Sequence, residues 1–461
     1  MSSICTSNVT SGFIDLATFD ELEKYMYGGP DATAYFVRET RKATWFTQVP
    51  VVLSRASGTP AFGAEWSVSI SRAGDYLLQN WLRLITPVVT LAGTNQFGAE
   101  GRLRWTRNFM HNIIRECCIT FNDLVAARFD NYHLDFWSAF TVPAGKRNGY
   151  KNMIGSISEM ITSHPPDMPI PSFVLNLPLP FFYGRDSGVA LPTAALPYND
   201  MRLNFSFREW NELLILDNIV APAGTNPSVC PLSTDLVGGI PVLGNTQVWA
   251  NYAIVSNDER KRMACAPRDV LIEQVQTAPR QTFAPATNPT PSYDVRFSHA
   301  IKVLFFSVRN RTTTCEWSNY TAASTVPGDT PEFSPPGAVD PIDVTSLIYE
   351  NTNRLAQMGS DFFSLVNPWF NAPVIPTDTG YHMYSYSLDF ICLDPMGSTN
   401  YGKLTNVSVV PQASIGSITG ANGGGAENSG ADYKQVYEFI ITAVNNNIVR
   451  ISGGALGFPV L

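Results

Sequence analysis

Apolar and polar residues alternate with period two in several short stretches of the chain. Trp66, Val68 and Ile70 alternate with serines, Met201 to Phe207 alternates without a break, and so does Tyr384 to Phe390. Period two with one polar face predicts half-buried antiparallel strands. Cys117 to Phe121, Val248 to Val255, Ile301 to Phe305 and Tyr437 to Ile441 read as further strands. Between them run stretches rich in Pro, Gly, Asn, Ser and Thr, as at 288–291, 326–341 and 414–430. The longer of these are uncommon inside compact domains and read as insertions hung between strands. Those near 310–342 and 414–430 are expected at exposed positions.

Two stretches break the β pattern. Thr18 and Glu21 have capping-box spacing, and Phe19, Leu22 and Met26 share one helical face before Gly28, Gly29 and Pro30. This predicts a short amphipathic helix in an arm over residues 1–29, packed on its own domain or docked on a neighbour or an underlying layer. Asn257 to Arg262 is the densest charge run and starts like a capped helix. It predicts a solvated linker helix over 257–268, because its acidic and basic residues are mixed. The chain then divides into the arm, a first β domain over 30–256 and a second over 257–461. No residue-level repeat relates the halves, so duplication must be argued from architecture. Many strands with long connections fit an all-β fold of two tandem eight-stranded jelly rolls, with short helices and long loops.

Composition narrows the function. Of 461 residues, 31 are basic and 39 acidic, so charged residues make up 15%, against ~25% in ordinary soluble domains. With 44% hydrophobic residues the chain is not disordered. A net charge of −8 argues against coating nucleic acid, which requires a basic face. Surface that is polar but uncharged suits contacts with partners. No apolar run approaches the ~20 residues of a membrane-spanning helix. The first residues lack the basic and apolar regions of a secretory signal. The seven cysteines therefore read as reduced thiols.

Candidate chemistry is sparse. Asp186-Ser187-Gly188 and Asp378-Thr379-Gly380 together suggest an aspartic peptidase, in which two carboxylates share one proton. Neither aspartate ends an apolar strand, and turn aspartates commonly cap their own backbone. The five histidines show no metal-ligand spacing. Cys117 and Cys118 point to opposite faces of a strand and cannot form one nucleophilic site. Arg102, Arg104 and Arg107 around Trp105 could bind single strands, but in an acidic chain they read as ion-pair partners. The five Asn-x-Ser/Thr sequons, at Asn8, Asn204, Asn310, Asn319 and Asn406, suit a chain rich in these residues and are weak signs of glycosylation. Trp369 and Phe370, after Pro368, could stack on sugar rings or pack in a core or subunit contact. No catalytic, cofactor-binding or metal residue is expected, and no cofactor.

One block is distinctive: LPLPFFYGRDSGVALPTAALPYND from Leu177 to Asp200. It resembles the signature of major capsid proteins of large nucleocytoplasmic DNA viruses, of the iridovirus type. Further blocks run in the family's order: SGFIDL at 11–16, DER at 258–260, LIEQVQ at 271–276, RFSHA at 296–300, LIYEN at 347–351, DPMGSTNY at 394–401 and GFPVL at 457–461. FVRETRKATWF at 36–46 looks most like the invertebrate iridoviruses. The match is weakest over 216–247 and 321–340. The resemblance implies a double jelly roll, three copies of which form a pseudo-hexagonal capsomer. It implies capsomers tiling an icosahedral shell over an inner membrane, in virions assembled in the host cytoplasm. The implied partners are further copies of the chain and minor capsid or cement proteins. The membrane or its proteins beneath the shell are open as partners, and no direct contact with nucleic acid is implied. It removes the peptidase reading, since Asp186 falls in a structural signature. A host-attachment or glycan-binding jelly roll is the alternative from another class.

Overall fold

The computed structural model describes residues 10–11, 13–18, 44–322, 333, 339–423 and 433–458. The chain divides into two units, 1–45 and 46–461. In the first, residues 13–17 are helical, and the Thr18 amide and hydroxyl both donate to the Asp15 carbonyl, at 3.3 and 2.8 Å. Thr18 thus closes a helical turn that precedes it. The expected helix from Phe19 to Met26 lies outside the described residues.

The second unit is built on sixteen principal strands. β1 to β8 are Phe46–Val52, Glu65–Ser69, Tyr76–Ile85, Ile114–Phe121, Leu124–Phe129, Val174–Pro178, Met201–Phe207 and Gln247–Val255. β9 to β16 are Arg268–Thr277, Tyr293–Asp294, Ala300–Asn310, Ile342–Tyr349, Thr352–Gly359, His382–Ser385, Val407–Ala413 and Tyr437–Ser452. The first eight form sheets ordered β1-β8-β3-β6 and β2-β7-β4-β5, with a short strand, Arg55–Ser57, beside β2. The second eight form β9-β16-β11-β14 and β10-β15-β12-β13. Adding eight to each label of the first pair of sheets gives the second pair. The chain therefore carries one jelly-roll strand order twice, and the duplication invisible in the residues is displayed by the topology.

Local patterns explain most strands. In β7 the apolar side chains are buried and the polar ones half-buried, in strict alternation. Its Phe205 stacks on Trp66 of β2, with ring centroids 4.7 Å apart. In β4, Cys117 is buried and Cys118 half-buried, on opposite faces as expected. β11, read as a strand at Ile301 to Phe305, is buried at every position after Ala300. It lies between two apolar layers, so both of its faces are interior. The alternation from Tyr384 to Phe390 does not extend as a strand: β14 ends at Ser385. Beyond it, side chains take over the backbone partners. Ser385 Oγ donates to the Ser387 carbonyl (2.7 Å), Ser387 Oγ to that of Asp389 (3.1 Å), and Asp389 Oδ1 accepts from the Ile391 amide (3.1 Å). Such local hydrogen bonds compete with a ladder.

Helix α1, Asn131–Thr141, follows β5 and starts at Asp130, whose carboxylate accepts from the His133 amide at 3.0 Å. α2, Ala144–Ile154, follows directly. Phe136 of α1 stacks on Phe305 of β11 and on Tyr320, and Phe140 stacks on Phe305, all with centroids within 6 Å. Through this helix the apolar cluster of the first barrel continues into Val303, Phe305, Tyr381, Met383 and Val444 of the second. Leu304, Phe306, Phe439 and Ile441 belong to a separate cluster that fills the second barrel.

The segment after β11 corrects an expectation. Apart from Thr314, residues 313–322 are buried rather than displayed on the surface. Trp317 donates its amide to Thr106 Oγ1 (3.0 Å) and its indole N–H to the Glu212 carbonyl (2.8 Å). Asn310 and Asn319 cap turns inside it, accepting from the amides of Thr312 and Thr321. Its polar residues thus satisfy the first barrel and one another. The rest of that loop, 323–332 and 334–338, lies outside the described residues. The 414–430 stretch begins as a helix, Ile415–Asn422, with Ile415 exposed but Gly416, Ser417 and Gly420 buried; 424–430 lies outside the described residues.

α3, Asn257–Cys265, stands between the two sets of strands. Arg260 holds Asp75 with Nε at 2.7 Å and Nη2 at 3.0 Å, and the Val255 amide donates to the same carboxylate at 2.9 Å. Burial opposes the Asp75 charge, yet these bonds and the guanidinium hold its carboxyl below the usual range.

Truncation at the shared cluster tests the coupling of the barrels. Phe136→Ala is expected to cost ~3–5 kcal/mol and to shift unfolding of both barrels together, read as one transition in chemical denaturation.

Candidate assembly surface and the junction between the barrels

The largest apolar side chains left in solvent concentrate where charge is missing. Residues 218–234, 236–257 and 362–377 contain no Asp, Glu, Lys or Arg. The third of these runs from a π-helical turn, Phe362–Val366, into α4, Asn367–Asn371. One side of this segment is anchored. Phe363 packs edge-on against Phe306 at 5.1 Å, and Asn367 Oδ1 accepts from the Ser385 amide at 3.2 Å. Pro368 near the helix start fixes the backbone there. The other side presents Leu365, Val366, Trp369 at 71% exposure and Phe370 at 75%. Leu388, in the bend after β14, is equally bare. The second uncharged run exposes Val237, Ile240 and Val242, and the edge strand β1 exposes Phe46, Val49 and Val52. Each of these segments leaves apolar side chains uncovered within an uncharged stretch.

The junction between the barrels is polar as well as aromatic. Asp135 of α1 is fully buried and accepts four hydrogen bonds. Its Oδ1 takes His111 Nδ1 (2.8 Å) and Asn108 Nδ2 (3.2 Å) from the first barrel. Its Oδ2 takes Ser318 Oγ (2.9 Å) and Tyr320 OH (2.8 Å) from the second. A second buried group joins Arg185, Glu273 and Lys302: Glu273 pairs with both cations, Lys302 Nζ also donates to the Cys392 carbonyl at 2.6 Å, and the Arg185 guanidinium covers the Trp137 ring at 4.1 Å. Burial lowers Lys302 to about 8. Arg185 and Glu273 fall in the sequence blocks at 177–200 and 271–276, but nothing there marked them as partners, and Asp135 fell in no motif.

The residues singled out from sequence fall into structural roles. Arg104 is buried between Asp217 (2.7 Å) and Glu316 (3.4 Å), and Arg107 binds Asp378 at 2.6 Å. Both link the barrels, as ion-pair partners. Asp378 is thereby engaged with an arginine, while Asp186 caps its own turn through the Gly188 amide at 3.2 Å. A peptidase pair would face each other across one proton. Trp369 and Phe370 sit on the surface, not in the core. Of the histidines, His111 bridges Asp135 and Tyr150, His164 contacts the Thr162 carbonyl, and His382 bonds Asp340 and stacks on Phe306. Among the described residues no three His, Cys, Asp or Glu side chains group as a metal site, and no helix is long and apolar enough to cross a membrane. Of the sequons, Asn310 and Asn319 are buried.

Comparison with known proteins follows the same division of the chain. Residues 34–255 match a family described as major capsid protein N-terminus, and residues 259–457 one described as large eukaryotic DNA virus major capsid protein. Two solved structures share the fold. A chain of the PBCV-1 virus capsid superposes with a TM-score of 0.73 at 19% identity, over 93% of this chain and 100% of that one. The Faustovirus major capsid protein gives 0.69 at 12% identity, over 94% and 95%. The fold is that of the viral double-jelly-roll capsid proteins. Among named relatives, the major capsid proteins of Costelytra zealandica iridescent virus and Invertebrate iridescent virus 6 are 67% and 65% identical over the full length of both chains. That of Lymphocystis disease virus 1 is 49% identical over the same span. The chain belongs to the major capsid protein family of the large nucleocytoplasmic DNA viruses, in its invertebrate-iridovirus branch.

Two expected outcomes follow from the geometry. Replacing Trp369 and Phe370 together by serine should leave the melting temperature nearly unchanged, as for other exposed sites, while association between copies falls at least tenfold in sedimentation velocity. His133 of α1 is buried between Phe129 and Trp137. Burial, reinforced by the Arg185 charge, lowers it to about 3. The unfolded chain binds this proton below pH ~6.5 and the folded chain does not, so stability is lost as pH falls from there toward 3. His133→Phe should flatten that slope in denaturant titrations at pH 7, 5.5 and 4.

Proposed function

We propose that three copies of this chain associate into a pseudo-hexagonal capsomer, and that capsomers tile an icosahedral shell over an inner membrane. The observation that carries the reading is the repeated strand order: two like barrels per chain and three chains give six like barrels, a block that fills a plane. Closed shells are made by repeating one set of contacts under symmetry, and uncharged apolar segments supply such contacts without repulsion between like copies. The proposal assigns residues 1–29 to an arm, 30–256 to the first jelly roll and 257–461 to the second, with 257–268 as the linker. It places the apolar faces at 365–370 and 237–242 against neighbouring copies, between subunits or on the capsomer flanks. Minor capsid proteins would cement the capsomers, the membrane or its proteins would lie beneath, and assembly would take place in the host cytoplasm.

The glycan-binding alternative draws on the exposed Trp369 and Phe370, since a bare aromatic pair can stack on sugar rings. Native mass spectrometry with negative-stain imaging distinguishes the readings. A capsomer gives a species of three times 50.6 kDa with a six-fold-like outline. A monomer under all conditions that binds glycan alone would sink the assembly reading.

A further inference from the structure

Two cysteines from different barrels meet at the junction. Cys230 follows the short strand Ser228–Val229 of the first barrel, and Cys315 lies in the buried segment after β11. The two stretches are clamped side by side. Asn226 Nδ2 donates to the Thr312 carbonyl (3.3 Å) and to Thr313 Oγ1 (3.0 Å), and Cys230 Sγ lies 3.2 Å from Thr314 Oγ1. The Cys230 sulfur thus lies against the residue that precedes Cys315 in the same segment. Arg104, between Asp217 and Glu316, holds the neighbouring residue of the same segment in place. Cys230 is part-exposed and Cys315 is buried. One sulfur of the pair is thus open to a reagent and the other is screened from it.

We propose that Cys230 and Cys315 form a redox-closed clasp: a disulfide that ties the two barrels of one chain together when the protein meets a low-molecular-weight disulfide. Hydrogen bonds from Cys315, opposed by burial and aided by Thr314, bring the Cys230 thiol down to about 6, whereas burial pushes the Cys315 thiol up. Cys230 is therefore the attacking thiolate and Cys315 the resolving thiol. The Cys230 thiolate attacks one sulfur of the reagent RSSR, forming a Cys230–SR bond and releasing RS⁻. The Cys315 sulfur, passing its proton to RS⁻, then attacks the Cys230 sulfur and expels the second RS⁻, which takes up the proton lost by Cys230. Two protein thiols are oxidised to one disulfide, and RSSR is reduced to two RSH. Closure requires the sulfurs to approach to ~2.05 Å, which the part-exposed Cys230 side of the pair allows.

The clasp closes a loop of 85 residues and is independent of trimer formation. The test uses the full-length protein incubated with oxidised glutathione at pH 7, alkylated, and digested without reductant. A linked peptide pair containing Cys230 and Cys315 is expected. The melting temperature should rise by ~3–8 °C and return with dithiothreitol. Cys230→Ser should abolish the rise, while Cys265→Ser, at an exposed cysteine, should keep it. Glutathione remaining on Cys230 as a stable adduct, or Cys230 linked to any other cysteine or to another chain, would overturn the proposal. Peptide mapping of the unmutated protein decides the matter even if a variant folds poorly.

Discussion

The structure depends on one buried helix having partners on both sides. α1 belongs to the first barrel, yet its Phe136 and Phe140 pack on the second, and its Asp135 takes two hydrogen bonds from each. A carboxylate buried without donors would be prohibitively costly, so all four must be in place at once. The two barrels are therefore not beads on a linker. Their relative position is set by a satisfied polar centre inside an aromatic layer, where a sideways slip would orphan Asp135 and open voids around Phe305. Arg104 with Glu316, Arg107 with Asp378, and Glu273 between Arg185 and Lys302 repeat this arrangement around the junction. Each is a charge from one barrel neutralised by the other.

Much of the β architecture was legible from residues alone. Met201 to Phe207 faces one core and one wetter side, so its period survives in the fold. The charge run at 257–262 was a helix, and the blocks around Leu177 and Asp394 carried the family. What was not legible has a common cause. β11 was read as a strand at Ile301 to Phe305, but its sequence did not disclose that both of its faces are interior. Residues 313–322 look like a surface loop by composition, but their Asn, Ser and Thr side chains bond to one another and to the first barrel. Tyr384 to Phe390 alternates correctly, but its serines and aspartate close turns instead of joining a ladder. Tertiary partners decide all three, and none of them lies nearby in sequence.

The exposed apolar surface was half legible. The uncharged runs at 218–234, 236–257 and 362–377 could be read directly. Which apolar residues in those runs face outward could not. Phe363 and Trp369 are six residues apart in the same segment, one buried against Phe306 and the other bare. Only the π-helical turn and the Asn367 anchor assign them to opposite sides.

The shared apolar cluster also bears on how the chain is made. Val444, Val449 and Ile451, which help complete it, lie on the last long strand, about 190 residues beyond the end of the first barrel's own strands. At ~5–20 residues per second of synthesis, the first barrel waits on the order of 10–40 s with part of its aromatic layer uncovered. In that interval the nascent chain presents the kind of apolar surface that drives misassociation. The junction that unites the two barrels in the finished chain thus makes the folding of the first depend on the pace at which the second is translated.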